Sequence, residues 1–222
     1  MAEDFQKGYI GIRRLKTQIN KWRHGLQNRW LEKLENLGNK IIEAFGEKKI
    51  TQPEGNSEYA REATWSDVET VTSLLAKEGA EFILVGGYAM SANGLGRVTS
   101  DIDILINQTP ENQPKWINAL SKLPDGEAEI FKREEDPFYG DDTYAIRLID
   151  EFVVDIMPSV HGLRYKDLKP HSKEIIMQGE VVLVLNLVGL EKTKQGSLRG
   201  KDQTDYAMIK QALRIVSQTY PE

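Results

Sequence analysis

The sequence predicts an α/β fold, a small mixed sheet flanked by helices, with a long amphipathic helix at its N-terminal side. Three observations carry this. Apolar residues recur at helical steps from Ile19 to Phe45; short Val- and Ile-rich runs alternate with amphipathic stretches from Ser66 onward; and Gly, Pro, Asp and Asn punctuate the boundaries. The chain of 222 residues is 40% hydrophobic and 28% charged, enough to bury one sizeable core with or without an appendage. It contains no Cys, which excludes thiol catalysis, thiolate zinc, iron–sulfur ligation and disulfides.

The net charge of −5 conceals an asymmetry, since residues 1–50 hold 11 Lys and Arg against 6 Asp and Glu while the remainder is strongly acidic. The longest apolar stretches, near Phe82 to Met90 and Val181 to Leu190, fall short of the ~18 residues a membrane span requires. The start, MAEDFQ, lacks a basic region followed by an apolar one, so no secretory signal is expected and the expected location is the cytoplasm.

Ile19, Trp22, Leu26, Trp30, Leu34, Leu37, Ile41 and Phe45 follow one another in steps of three or four, the period of one helical face. They place an amphipathic helix within residues 1–46. Its other face carries Lys21, Arg23, Arg29, Lys33 and Lys40 among Glu32, Glu35 and Glu43. That face reads either as a positive surface for nucleic acid or a phosphorylated partner, or as an ordinary solvated face, and the interspersed acids favour the second. The apolar stripe must bury itself on its own domain, on a protein partner or on a second copy. Trp22 and Trp30 belong to it and read as core rather than base-stacking platforms. Residues 47–63 are polar, with Pro53 and Gly55, and read as a linker; residues 64–222 form the second unit.

That unit opens with a capping box, Ser66 to Glu69, and a helix through Val68, Val71, Leu74 and Leu75 that stops at Gly79. Phe82 to Val85 is a buried strand, Gly86-Gly87 a turn, Tyr88 to Asn93 a helix of small residues, and Asp101 to Ile106 a second strand. Pro114 begins a helix through Trp116, Ile117 and Leu120. Seven acids lie between Glu127 and Asp142 without ligand spacing, so this stretch reads as a solvated loop. Tyr144 to Ile149 and Phe152 to Met157 form a hairpin about Asp150-Glu151, and a strand pair flanks Gln178-Gly179. Asn186 caps a helix from Leu187, and a last helix spans Gln203 to Gln218.

The chemistry concentrates on three acids. Strand side chains alternate, so Asp101 and Asp103 project from one face while Ile102 and Ile104 enter the core. Two adjacent carboxylates demand a shared proton, a basic partner or a hard metal ion. Asp155, amid Val153, Val154, Ile156 and Met157, is costly unless it faces the same site. The three together can hold one or two magnesium or manganese ions. Alone, an Asp-x-Asp is more often a turn or strand edge. The preceding strand, Gly86-Gly87 and helix form a geometry in which backbone can approach a phosphate closely, though two glycines suit any tight turn. His161 and His171 read as ordinary loop residues.

FILVGGYAMSANGLGRVTSDIDILI and the later EFVVDIMP together resemble the nucleotidyltransferase superfamily of the DNA polymerase β type. The resemblance lies in an apolar strand, Gly-Gly, a spacer of 13 residues from Tyr88 to Ser100, Asp-x-Asp on the next strand, and a third Asp. Arg97-x-Thr99-x-Asp101 is similar to the stretch before the paired acids in small bacterial members, among them the AbiEii-like toxins and the lincosamide-type antibiotic nucleotidyltransferases. KTKQGSLRGKDQTDY is similar to the pattern that closes such minimal enzymes, matched by Lys194, Arg199, Lys201, Asp202 and Asp205. Antibiotic-modifying members often carry Ser at the second glycine, where this chain has Gly87. The likeness covers roughly residues 65–215 and leaves the N-terminal helix unexplained.

The resemblance implies transfer of a nucleoside monophosphate from an NTP to a hydroxyl-bearing acceptor, with release of pyrophosphate. It implies Asp101, Asp103 and Asp155 as catalytic and metal-binding residues, with Mg2+ or Mn2+ as cofactor. Nucleotide-binding candidates are Gly86, Gly87, Arg97, Thr99, Lys192, Lys194, Arg199 and Lys201. Lys194, with Lys192, is expected to reach the β- and γ-phosphates, while Asp202 and Asp205 hold Arg199 and Lys201; solvated surface pairs are the competing reading. Arg97 either orients the paired acids or touches the triphosphate. The acceptor is open among RNA, a protein side chain and a small molecule; the basic helix slightly favours a macromolecule, a toxin-like role being one case. The alternative is a non-catalytic binding module of the same fold acting through a protein partner.

Overall fold

The computed structural model describes residues 60–141 and 143–219. The expected N-terminal helix with its apolar stripe, and most of the expected linker, lie outside the described residues. Within them the elements run α1 (Trp65–Lys77), β1 (Phe82–Leu84), α2 (Gly86–Ala92), β2 (Asp101–Ile106), α3 (Gln113–Leu120), a 3-10 helix (Glu127–Arg133), β3 (Ile146–Ile149) and β4 (Val153–Met157). They continue through β5 (Ser159–Val160), β6 (Leu163–Arg164), α4 (Tyr165–Leu168), a 3-10 turn (Lys169–His171), β7 (Ser172–Met177), β8 (Glu180–Leu185), α5 (Leu187–Lys194) and α6 (Gly200–Thr219). No described helix is long and apolar enough to cross a membrane.

The fold is the mixed α/β sheet that the sequence predicts. Six strands lie in the order β3-β4-β2-β1-β8-β7, with β2–β4 and β1–β8 parallel and the other pairs antiparallel; β5 and β6 form a separate two-stranded ribbon. Two parallel neighbours require crossovers, and α3 with the following 3-10 helix lies in the connection from β2 towards β3 and β4. Alternation sorts the strands cleanly. Ile102, Ile104, Val154 and Ile156 are fully buried, and Ile146 and Leu148 nearly so, on the face opposite the acids. Met177 lies on β7, where the Thr72 hydroxyl of α1 reaches its sulfur at 3.4 Å. α1 in turn packs on α3 and β8. Trp116 of α3, 1% exposed, stacks at a tilt on Phe131 and Phe138, closing that end of the core.

Local starts and stops follow chemistry. The helix α1 begins two residues earlier than the expected Ser66 box: Thr64 is the N-cap and Asp67 accepts from its backbone N–H and its hydroxyl, both at 2.7 Å. Asp67 is also clasped by Arg61 at 2.6 and 2.8 Å, and Arg61 bridges to Phe152, so the last residues of the expected linker are tied to the domain. Asn186 caps α5 as expected, its Oδ1 accepting from Gly189 N–H at 2.9 Å. The acid-rich stretch after Gly126 is a loop only in part, since Glu127–Arg133 winds into a 3-10 helix whose Ala128 is fully buried. The ribbon β5–β6 and the helix α4 carry no periodicity long enough to announce them.

Candidate functional site

Register brings the three acids together. Asp103 stands directly opposite Asp155 in the parallel pairing of β2 with β4, and Asp101 lies two residues back on the same face. One oxygen from each of the three can be chosen so that all lie within 4.8 Å of one another. The side chains of Asp101 and Asp155 are 25% and 13% exposed, so the cluster is neither sealed nor freely hydrated.

Such crowding has an electrostatic consequence. Burial, then the neighbouring charges of Asp101 and Asp155, push the Asp103 carboxyl up to about 7, although the Lys194 charge and the Gly87 amide work against the shift. The Thr99 hydroxyl donates to Asp101 Oδ1 at 2.8 Å and fixes that carboxylate from the loop side.

The glycine turn is shaped around these side chains. Gly86 has φ +62°, and a Cβ built there would fall 1.8 Å from Asp103 Oδ2. A Cβ on Gly87 would fall 2.5 Å from the Arg97 guanidinium and 2.6 Å from Thr99 Cβ. Both glycines are therefore required by packing against the acids and their supporting loop, a reason independent of any bound phosphate.

A second cluster joins α5 to α6. Lys194, at the end of α5, donates to Asp202 Oδ1 and lies 3.6 Å from Asp205 Oδ2, while Ser197 donates to Asp202 Oδ2 at 2.8 Å. Burial opposes ionisation of Asp202, but hydrogen bonds from Lys194 and Ser197 and the charges of Lys194 and Arg199 hold its carboxyl below the usual range. Asp205 goes the other way: burial raises it, outweighing the attraction of Arg97 and Lys194. Arg97 Nε sits 3.1 Å from Asp205 Oδ1, with both side chains largely buried. Arg97 thus ties the loop before Asp101 to α6.

This corrects the expected pairing. Asp202 and Asp205 hold Lys194 and Arg97, not Arg199 and Lys201, because one turn of α6 aims both acids inward at the end of α5. Lys192, Arg199 and Lys201 are exposed; of these, Arg199 lies close enough to Asp202 to stabilise its charge.

Arg147 escaped the sequence reading, and His161, read there as an ordinary loop residue, lies in a turn but has a contact that the reading did not foresee. Arg147 on β3 is the register partner of Asp155 and binds it with both arms of the guanidinium, Nε to Oδ1 at 2.8 Å and Nη2 to Oδ2 at 2.7 Å; Nη2 is also 3.7 Å from Asp101. Alternation along Ile146–Ile149 marked Arg147 as facing away from the core, but its partner depended on the hairpin register. His161, in the turn between β5 and β6, has φ +50° and places Nε2 3.8 Å from Asp202 Oδ2. No local signal pointed to that contact, because the ribbon itself went unpredicted.

No protein-family model matches the chain, and no curated protein does. Among solved structures the chain is similar to a "putative nucleotidyltransferase" from Thermotoga maritima, with 15% identity, a TM-score of 0.41, and coverage of 70% of this chain and 89% of that one. It is also similar to an "antigenic nucleotidyltransferase-like protein" from Paracoccidioides brasiliensis, with 16% identity, a TM-score of 0.37, and coverage of 72% and 91%.

Proposed function

We propose that the chain is a metal-dependent nucleotidyltransferase that moves a nucleoside monophosphate from an NTP to a hydroxyl-bearing acceptor and releases pyrophosphate. The observation that supports this most is the convergence of Asp101, Asp103 and Asp155 on two adjacent parallel strands, with oxygens within 4.8 Å. The donor set fits Mg2+ or Mn2+: all three groups are hard oxygen anions, and the raised Asp103 carboxyl marks a cluster short of positive charge. Asp101 and Asp103 would hold the ion that clamps the triphosphate, and Asp155 with both strand acids would hold a second. Such ions, when bound, neutralise phosphate charge and acidify the attacking hydroxyl.

The chain's own residues do the rest by positioning. The acceptor oxygen bonds to the α-phosphorus, the bond to the β-phosphate oxygen breaks, and the hydroxyl proton passes to the carboxylate side of the site, Asp155 being the acid placed to help. Lys194, whose charge is felt at Asp103, is the cation for the β- and γ-phosphates, presented by Asp202 and Asp205. The Gly86-Gly87 backbone lies beside Asp103, and Thr99 with Arg97 braces the loop that leads into Asp101. Lys192, Arg199 and Lys201 supply an exposed positive rim for the nucleotide. RNA, a protein side chain and a small molecule are the acceptor classes, and a protein partner or a second copy is the proposed occupant of the N-terminal stripe.

The test is label transfer. Purified protein is incubated with Mg2+ or Mn2+ and each α-labelled NTP, with total RNA, cell extract or neither, beside Asp103→Asn. Label on RNA, protein or a small compound only with the intact acid supports the proposal and names the acceptor class. Retained transfer by Asp103→Asn overturns the metal assignment. NTP binding without transfer under every condition favours the non-catalytic module.

A further inference from the structure

Arg147 is a cation that competes for a proposed metal-binding carboxylate. Its guanidinium engages both oxygens of Asp155, at 2.8 and 2.7 Å, and leans on Asp101 at 3.7 Å. Ion pairing with Asp155, first through the hydrogen bonds and then through charge, stabilises the guanidinium as a cation. A single positive charge therefore lies against two of the three acids, where a divalent ion would need the same oxygens.

The position of Arg147 also makes it displaceable. It lies on β3, one of the two edge strands of the described sheet, and its side chain is 58% exposed whereas that of Asp155 is 13% exposed. Among the described residues more than half of the arginine side chain is open, so the guanidinium can swing outward while Asp155 stays on the strand. A bidentate fork shields both oxygens at once, which a lysine ammonium, a point charge on a flexible stem, does not.

We propose that Arg147 is a built-in counter-ion that occupies Asp155 in the metal-free protein and sets the metal affinity of the acid cluster by having to be displaced. This rests on the metal-binding reading of Asp101, Asp103 and Asp155. Like charges at such close range repel, so metal entry and the Arg147–Asp155 pair exclude one another, and the third carboxylate becomes available only as the guanidinium leaves.

The experiment titrates Mn2+ into the full-length protein without nucleotide, following free Mn2+ by electron paramagnetic resonance, for the native chain, Arg147→Gln and Arg147→Lys. Circular dichroism checks that each is folded. Arg147→Gln is expected to bind Mn2+ roughly 5-fold or more tightly than the native chain, with Arg147→Lys between them. Equal or weaker binding by Arg147→Gln, with the native chain binding Mn2+, overturns the counter-ion role and leaves the metal reading standing. Failure of all three proteins to bind Mn2+ overturns both.

Discussion

Gly86 and Asp103 are fitted to one another: the space where Gly86 would carry a Cβ is taken by Asp103 Oδ2, 1.8 Å away. The positive φ of Gly86, +62°, adds a second reason for glycine. Gly86→Ala should therefore destabilise the fold by about 2–3 kcal/mol, through both backbone strain and displacement of the carboxylate. A urea melt measures the loss; a change below about 0.5 kcal/mol would show that the turn relaxes without disturbing Asp103.

Asp103 also makes the metal-free protein sensitive to pH. In the unfolded chain it loses its proton near the ordinary 3.8, whereas in the folded state it holds on to about 7, because of burial and the facing Asp101 and Asp155, against Lys194 and the Gly87 amide. Between those values the folded state binds the extra proton, so stability falls as pH rises, and the loss is complete above about 7. Asp103→Asn should remove this slope and be more stable than the native chain above neutrality by about 2–4 kcal/mol in the presence of chelator. Melting curves at several pH values check it; parallel slopes for the two proteins would refute it.

Lys194 is bound to two acids that are 3% and 4% exposed. Lys194→Met leaves both without their shared cation and should cost about 3 kcal/mol. Adding Asp202→Asn should recover part of that loss, since an uncompensated buried charge is then removed. Additive costs in the double-mutant cycle would contradict the pairing.

Thr99→Val keeps the shape of the side chain but removes the 2.8 Å hydrogen bond to Asp101. Thr99 is 8% exposed, so water does not fully replace the bond. A loss of about 1 kcal/mol in stability is expected, with weaker Mn2+ binding because Asp101 is no longer held in one orientation. Unchanged Mn2+ affinity would assign Thr99 a purely structural place.

Much of this was legible before the fold was known, for reasons that can be named. The alternation in Asp101–Ile106 separates Asp101 and Asp103 from Ile102 and Ile104 with no help from the rest of the chain, because the pleat has a period of two. The Asn186 cap and the β3–β4 hairpin were legible from local signals too, as was the mixed α/β sheet itself, whereas Gly86-Gly87, expected as a turn before a helix from Tyr88, already forms the first residues of α2. Short elements were not: α4 has four residues and β5 and β6 two each, below the length at which a period can be counted.

Partnership is what only the tertiary structure decided. Asp155 belongs with Asp103 because β4 is parallel to β2 in a register that a one-residue slip would have inverted, turning Asp155 to the opposite face. Arg147 reaches Asp155 through a second register, and Asp202 and Asp205 take Lys194 and Arg97 rather than Arg199 and Lys201 because α6 packs back on α5. Residue types and local periods determined by themselves which side chains leave the core and which enter it. The choice of counter-ion for each carboxylate depends on distances between segments far apart in the chain, and those are set by strand order and helix packing.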